Sequence, residues 1–412
     1  MTLFNICAAI SIVGTVLYLL QVGAAWSLIT KKQKSANGIP VRGPALPPVS
    51  ILKPLRGLDD NLFDNLSSFC TLDYPAYEIL FSLQDHNDPA YKVAKKVQAR
   101  YPDKNITIVV ERCNAGLNPK VNNLIPSYRK ARHPYILISD SNVMVDTDYL
   151  RKITRHTQDP TVGLVSNVIR GVGGRSLGAI LENLHLNSFI LGSVSFLDQF
   201  LGMPCVIGKS MLMKKNDLEA LGGLSAFKDI LAEDFVIGRE MQRAGKKVIL
   251  SSYLISNVNE YWSIKRFLNR HTRWGKLRWK IGGYKYISEL LANPVFVAAL
   301  PIVLSGPTRA GLSFAGLIWS IKVLGDAILG RVIEAGTPES KIAERSPFVY
   351  FLAPLKDLFI GFLWFVPLLS STVVWRGNRY LIGKDSRLSP YPETGFWSWG
   401  YRITDVIRAR FA

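Results

Sequence analysis

Acidic residues are scarce in this chain: 31 Asp and Glu stand against 50 Lys and Arg, a formal net charge of +19 over 412 residues. That balance excludes an acidic, solvating polypeptide and points to anionic partners: lipid headgroups, nucleic acid or a phosphate-bearing substrate. Cysteine is scarcer still. Cys7, Cys70, Cys113 and Cys205 show no metal-ligand spacing, and Cys7 lies in an apolar run, so reduced thiols in a cytosolic domain are expected rather than a disulfide framework or a zinc site. Charged residues are only 20% of the chain and hydrophobic ones 48%, which excludes disordered and collagen-like classes. A mean hydropathy of +0.15 leans towards a membrane. No internal repeat or low-complexity tract is present.

Charge is missing altogether before Lys31, and residues 3–29 are apolar over more than the ~20 residues a helix needs to cross a bilayer. A cleaved signal peptide would want a basic start, which residues 1–5 lack. Lys31, Lys32 and Lys34 follow at once and place the next segment in the cytosol by the positive-inside rule. Three more apolar stretches come late, at residues 290–306, 310–330 and 358–375. Lys322 and Asp326 in the second form an i,i+4 pair that can neutralise itself. Three full crossings would leave the basic tail outside, so one stretch is expected to be re-entrant or interfacial, and the short first one, with Pro294 and Pro301, is the candidate.

Between these regions, short β-rich runs at residues 49–52, 78–83, 106–110, 135–139 and 162–165 alternate with helix-length segments, the pattern of parallel βαβ units. Ligands of such sheets sit beyond the carboxyl ends of the strands. There the sequence places Lys53, Asp85 and Asp140, residues suited to a phosphate, a nucleoside or a hard cation, although an aspartate there also caps helices. Lys120, past a turn at Gly116, suits a diphosphate or a solvated helix start. Glu233 and Asp234 open an amphipathic run, where acids are also favoured by the helix dipole. Residues 261–285 carry eight Lys or Arg and no acid, with Trp262, Trp274 and Trp279 among them. Ile264, Phe267, Leu268, His271 and Trp274 recur at helical spacing opposite Arg266, Arg270 and Arg273, so an interfacial helix is expected, and no nucleic-acid motif accompanies it.

Seven stretches, in order, carry a family resemblance: Leu52-Lys53-Pro54-Leu55-Arg56-Gly57, Leu72-Asp73-Tyr74-Pro75, Gln84-Asp85-His86, residues 116–124 (Gly116 to Leu124), Asp140-Ser141, Ala232-Glu233-Asp234-Phe235 and Arg270-His271-Thr272-Arg273-Trp274. Together they resemble the ceramide glucosyltransferase (glucosylceramide synthase) family, in a bacterial-type member, over about residues 48–280. Residues 375–380 are similar to that family's sequence after its last span. The resemblance implies an α/β fold, a Rossmann-like, mostly parallel GT-A glycosyltransferase domain with transmembrane helices. It implies an inverting transfer of glucose from UDP-glucose to the primary hydroxyl of ceramide, with Asp234 as catalytic base. Lys53, Asp85, Lys120, Asp140, Arg270, Arg273 and Trp274 would bind the donor, and Asp140 a divalent cation, Mn²⁺ or Mg²⁺. Asp140-Ser141-Asn142 departs from the Asp-x-Asp common among GT-A enzymes, so metal binding rests on one aspartate. Cys205 matches a family cysteine near the donor site or is a small buried strand residue.

The expected organisation is an anchor at 1–30, a linker at 31–48, a cytosolic catalytic domain at 49–260, the interfacial helix at 261–285, a membrane region at 286–376 and a cytosolic tail at 377–412. The expected partners are a lipid acceptor, a UDP-sugar and a membrane, a bacterial inner membrane in this reading, with neither nucleic acid nor an obligatory protein partner. A hopanoid or other lipid acceptor is the alternative, and a processive polysaccharide synthase, which needs a polymer channel, a further one.

Overall fold

The computed structural model describes residues 3–36, 46–336, 346–375 and 377–392. Half of the expected linker, residues 37–45, and the tail beyond 392 lie outside the described residues. After helix α1 (Leu3–Ala36) the chain alternates: β1 (Val49–Pro54), α2 (Leu62–Cys70), β2 (Tyr77–Leu83), α3 (Pro89–Arg100), β3 (Ile106–Val110), α4 (Pro119–Lys130), β4 (Tyr135–Ile138), β5 (Val143–Met144), α5 (Tyr149–Thr154) and β6 (Val162–Gly173). Helix α6 (Leu177–His185) passes through a π-helical turn at Leu186–Ile190 into α7 (Leu191–Leu201). Then come β7 (Met211–Lys214), α8 (Lys215–Ala220), α9 (Glu233–Arg243), β8 (Lys247–Asn259) and α10 (Ile264–Gly282).

The eight strands form one sheet in the order β3-β2-β1-β4-β7-β6-β8-β5. β3, β2, β1 and β4 are parallel, β6 and β8 are parallel, and β7 runs antiparallel between the two groups. This is the α/β, GT-A arrangement expected. Helices cover both faces, so the Ile-, Val- and Leu-rich strands are buried on both sides rather than alternating. The register pairs Leu52 with Ile138 and Pro54 with Ser82, which brings the carboxyl ends of β1, β2 and β4 side by side.

Of the remaining helices, α11 (Ile287–Leu291), α12 (Pro294–Ser305) and α13 (Arg309–Ala335) pack on α1, α14 (Ala353–Leu363) on α12 and α13, and α15 (Val366–Leu369) on α10. Helices α1 and α13 are long and apolar enough to cross a bilayer, as is the stretch Pro347–Leu369 by composition. Phe4 meets Phe314, Tyr18 meets Asp326 and Ile29 meets Gly336, so α13 runs parallel to α1. Trp319 donates to the carbonyl of Val295 while Gly311 lies beside Ile302, so α12 runs the other way and ends where α1 begins.

α12 reaches the end of the bundle at the level of Phe4 and is bent by 69° from α10–α11, the geometry of a broken span or of the re-entrant loop expected there. The last stretch has Tyr350 beside Gly330, passes Lys322 at Asp357 and Phe296 at Gly361, and comes back at Pro367 to α10. Lys322 and Asp326 do pair, at 2.7 Å, and Tyr18, Ser188 and Asp357 join them, which satisfies charges buried among apolar helices.

On α10, Phe267 and His271, expected in the lipid interface, are buried against α6, and Gly275 is packed under Pro367. Lys276 donates to the carbonyl of Thr372 in β9 (Thr372–Trp375), which forms a small antiparallel sheet with β10 (Asn378–Ile382) and β11 (Leu388–Pro390). The returning chain thus packs on the second half of α10, while Ile264, Lys265, Arg266 and Asn269 of its first half are exposed.

Candidate active site

A cavity of ≈ 660 Å³ opens beyond the carboxyl ends of β1 and β4, walled by α4, the 207–209 turn, the start of α9, α10 and β9. At its floor, Asn118 caps α4, its side chain accepting from the N–H groups of Lys120 and Val121, with Pro119 at the first helical position. The same side chain donates to the carbonyl of Ile230 and to Glu233, which ties the start of α4 to the start of α9. Lys120 therefore stands between two carboxylates, 2.9 Å from Asp140 and 3.1 Å from Glu233. Lys209 takes the other oxygen of Asp140 at 2.9 Å.

Burial alone would raise the Asp140 carboxyl, but the two ammonium groups outweigh it and hold it well below the usual carboxylate range. Lys53 acts from beneath: fully buried over the Phe69 ring, it donates to the main-chain carbonyl of Asp140 at 2.9 Å.

Asp234 lies in the first turn of α9, one oxygen accepting from the Gly208 N–H and the other from its neighbour Phe235, both at 2.8 Å. Position 208 must be glycine for this approach, since a Cβ there would fall 2.6 Å from the carboxylate. Burial and then the adjacent Glu233 push the Asp234 carboxyl up to about 6, against the pull of Lys120. A carboxylate so tuned is a stronger base than an ordinary one while still ionised near neutral pH.

Across the cavity, Arg270 and Arg273 project one helical turn apart on α10. Arg270 is 3.3 Å from buried Glu182, whose other oxygen meets the Nε2 of His271 at 2.8 Å, and its guanidinium lies over Trp274 at 4.3 Å. Arg273 faces the ring of Trp375 on β9 at 5.9 Å. In all, the wall carries six Lys or Arg and four carboxylates, an excess of positive charge suited to a diphosphate.

Of the residues singled out in the sequence, Asp234, Lys120, Asp140, Arg270, Arg273 and Trp274 share this wall. Lys53 does not reach it, and Asp85 is exposed on the β2–α3 turn, where it accepts from the Asn87 N–H, away from the lining. Lys209, Glu182 and Trp375 belong to the arrangement and were missed as site residues. Lys209 had a signal, a lysine behind a glycine at the end of the Cys205 stretch; Glu182 had none, being one acid in an apolar helix. Cys205 is half-buried and outside the cavity.

No group of three His, Cys, Asp or Glu side chains able to cage a metal ion occurs among the described residues. Mg²⁺-type ions, however, are commonly held by one or two carboxylates together with substrate phosphates. Asp140 borders the cavity, but an ammonium group holds each of its oxygens, Lys120 and Lys209, so a cation would have to displace one of them.

The model of glycosyl transferase family 21 matches residues 6–388. Ceramide glucosyltransferase 1 of Caenorhabditis elegans is 29% identical over 357 residues, covering 84% of this chain and 74% of that protein. Ceramide glucosyltransferase 3 of the same organism is 30% identical over 348 residues, covering 84% and 75%. Among solved structures, a mannosyltransferase from Pyrobaculum calidifontis in complex with GDP-Man and Mn2+ superposes with a TM-score of 0.45 at 16% identity, over 86% of this chain and 98% of that one.

Proposed function

The chain belongs to glycosyl transferase family 21, and from that membership and the cavity we propose that it moves glucose from UDP-glucose to the primary hydroxyl of ceramide, giving glucosylceramide with inversion at the anomeric carbon. That it is a glycosyltransferase follows from the family. The observation that carries the finer reading is that a carboxylate of raised basicity, Asp234, faces the same cavity as Lys120, Lys209, Arg270 and Arg273.

In this reading the acceptor hydroxyl gives its proton to an Asp234 oxygen as its own oxygen forms the new bond to the anomeric carbon, and the bond to UDP breaks on the opposite face. Lys120, Lys209, Arg270 and Arg273 surround the charge that develops on the departing diphosphate. The Trp274 ring, held under Arg270, keeps that guanidinium in place. Asp140 would hold a divalent cation, Mn²⁺ or Mg²⁺, which supplies further neutralisation of the phosphate oxygens. Lys53 positions the Asp140 main chain, and Asp85 is assigned the nucleoside end of a donor that extends past β1. The catalytic domain would lie on the cytosolic face of a membrane. Incubating the purified protein with ceramide and, separately, UDP-glucose, UDP-galactose, UDP-N-acetylglucosamine and GDP-mannose, and weighing the lipid products by mass spectrometry, tests this reading. A hexosylceramide formed with UDP-glucose is expected; glycosylation of hopanoids or other lipids with ceramide untouched would refute it.

A further inference from the structure

The outer end of α7 (Leu191–Leu201) presents a cluster of exposed apolar side chains. Phe200, Leu201 and Met203 are 60%, 57% and 54% exposed, and the Phe196 and Phe200 rings stack at 5.0 Å. From Leu186 to Pro204 the only charged residue is Asp198. Helix α7 is seated on α1: Gln199 donates to the carbonyl of Ala24 at 2.8 Å, and Gly192 lies against Gln21. At this level Leu20 of α1, on the flank of the Gln21 and Ala24 contact, is itself exposed.

Gly202, in the left-handed conformation, ends α7, and the Met203 N–H closes the turn on the carbonyl of Leu197. From Met203 the chain enters the cavity wall at Ile207 and Gly208, and the Gly208 N–H holds Asp234. Along α10 the apolar side is filled by protein, with Phe267 buried and Tyr286, near Gly275, stacked on Trp364 at 5.3 Å.

We propose that α7 and the turn after it lie in the surface of the bilayer and form the threshold over which a long-chain lipid acceptor reaches Asp234. The bilayer is the occupant because α7 is seated, at Gln21 and Ala24, on a helix long and apolar enough to cross a membrane, and it holds Phe200, Leu201 and Met203 exposed beside that helix. The second half of the proposal rests on the lipid-acceptor reading given above; the first half does not.

The full chain, reconstituted in phosphatidylcholine–phosphatidylglycerol vesicles containing a diazirine phospholipid, is illuminated and its adducts mapped. Adducts on residues 196–203 as well as on α1 and α13 are expected; labelling of α1 and α13 with none on α7 would overturn the placement. In parallel, the triple variant Phe200→Ser, Leu201→Ser, Met203→Ser should raise the apparent KM for a long-chain ceramide about tenfold, leaving a short-chain soluble analogue and UDP-glucose within about twofold. Equal rises for both acceptors would refute the threshold. So would a larger selective rise in the variant Leu368→Ser, Leu369→Ser, which would move the entrance to α15. Should the wild-type protein glycosylate no lipid, the functional reading falls, and the adduct map alone decides where α7 lies.

Discussion

Replacing Asp234 by Asn removes the proposed base and almost nothing else. Both carboxylate oxygens accept backbone N–H groups, from Gly208 and Phe235 at 2.8 Å, and an amide keeps only one of these bonds. The lost bond costs about 0.5–1.5 kcal/mol of stability, a melting shift of a few degrees. Loss of the base should lower kcat about 10²–10⁴-fold, or roughly 2.7–5.4 kcal/mol in the barrier, well beyond the structural cost. The assay is initial rate of lipid glycoside formation at saturating donor, beside UDP-glucose binding by calorimetry, which should change by less than about threefold.

The pH profile gives a second arm. The base works unprotonated and its carboxyl sits at about 6, so kcat should be level near pH 7–8 and fall as pH drops through about 6. Glu233→Gln removes one of the influences that raises it and should move the acid limb lower. An Asp234→Asn enzyme within about threefold of wild type, or a wild-type limb near the ordinary carboxylate value of about 4, would remove Asp234 from the chemistry.

Three further outcomes follow from the packing around the cavity. If Asp140 holds the cation, chelation should abolish turnover, Mn²⁺ or Mg²⁺ should restore it, and Asp140→Ala should not be rescued; full turnover in chelator would leave Lys120, Lys209 and the arginines carrying the phosphate charge unaided. Lys53→Met should weaken UDP binding about tenfold or more in calorimetry, because a charge-assisted bond to the Asp140 carbonyl, of about 1.5–3 kcal/mol, is lost under the loop; unchanged affinity would limit Lys53 to the core. Ser386, buried and left-handed at φ 58°, accepts from the Ala232 N–H at the start of α9, so Ser386→Ala should cost about 1–3 kcal/mol in denaturant unfolding and lower kcat more than donor affinity; an unaltered unfolding midpoint would contradict that role.

Much of the catalytic domain was legible because both-face burial writes continuous apolar runs, and the polar residues that end β1 and β4 fall where a parallel sheet places its ligands. Lys120, Asp140, Asp234 and the α10 arginines could thus be found one motif at a time. What brings them together could not, since Asn118 reaching Glu233 and Lys209 reaching Asp140 are contacts between distant segments. Lys53 illustrates the limit: expected just past the strand, it lies inside β1 next to its last residue, and register alone does not say whether a lysine points into a cavity or under it.

α10 shows why packing partners are not legible in a sequence. An amphipathic basic helix looks the same whether its apolar side meets lipid or protein, and here Phe267 and His271 meet α6 while α15 and β9 pack on its second half. Hydropathy likewise gives lengths and not partners: α12 is short and follows a 69° bend from α10–α11, while the longer last stretch comes back to α10 at Pro367.

The measurement that tests the account most directly is the anomeric configuration of the product. UDP-glucose carries its glucose α-linked, so transfer with Asp234 as sole base and no covalent intermediate must give β-glucosylceramide, read as a large coupling between the first and second sugar protons in the NMR spectrum of the purified lipid. The account predicts that β-linked product from the wild-type protein and its near absence from Asp234→Asn. An α-linked glucosylceramide, or β-linked product formed equally well without the Asp234 carboxylate, would contradict it.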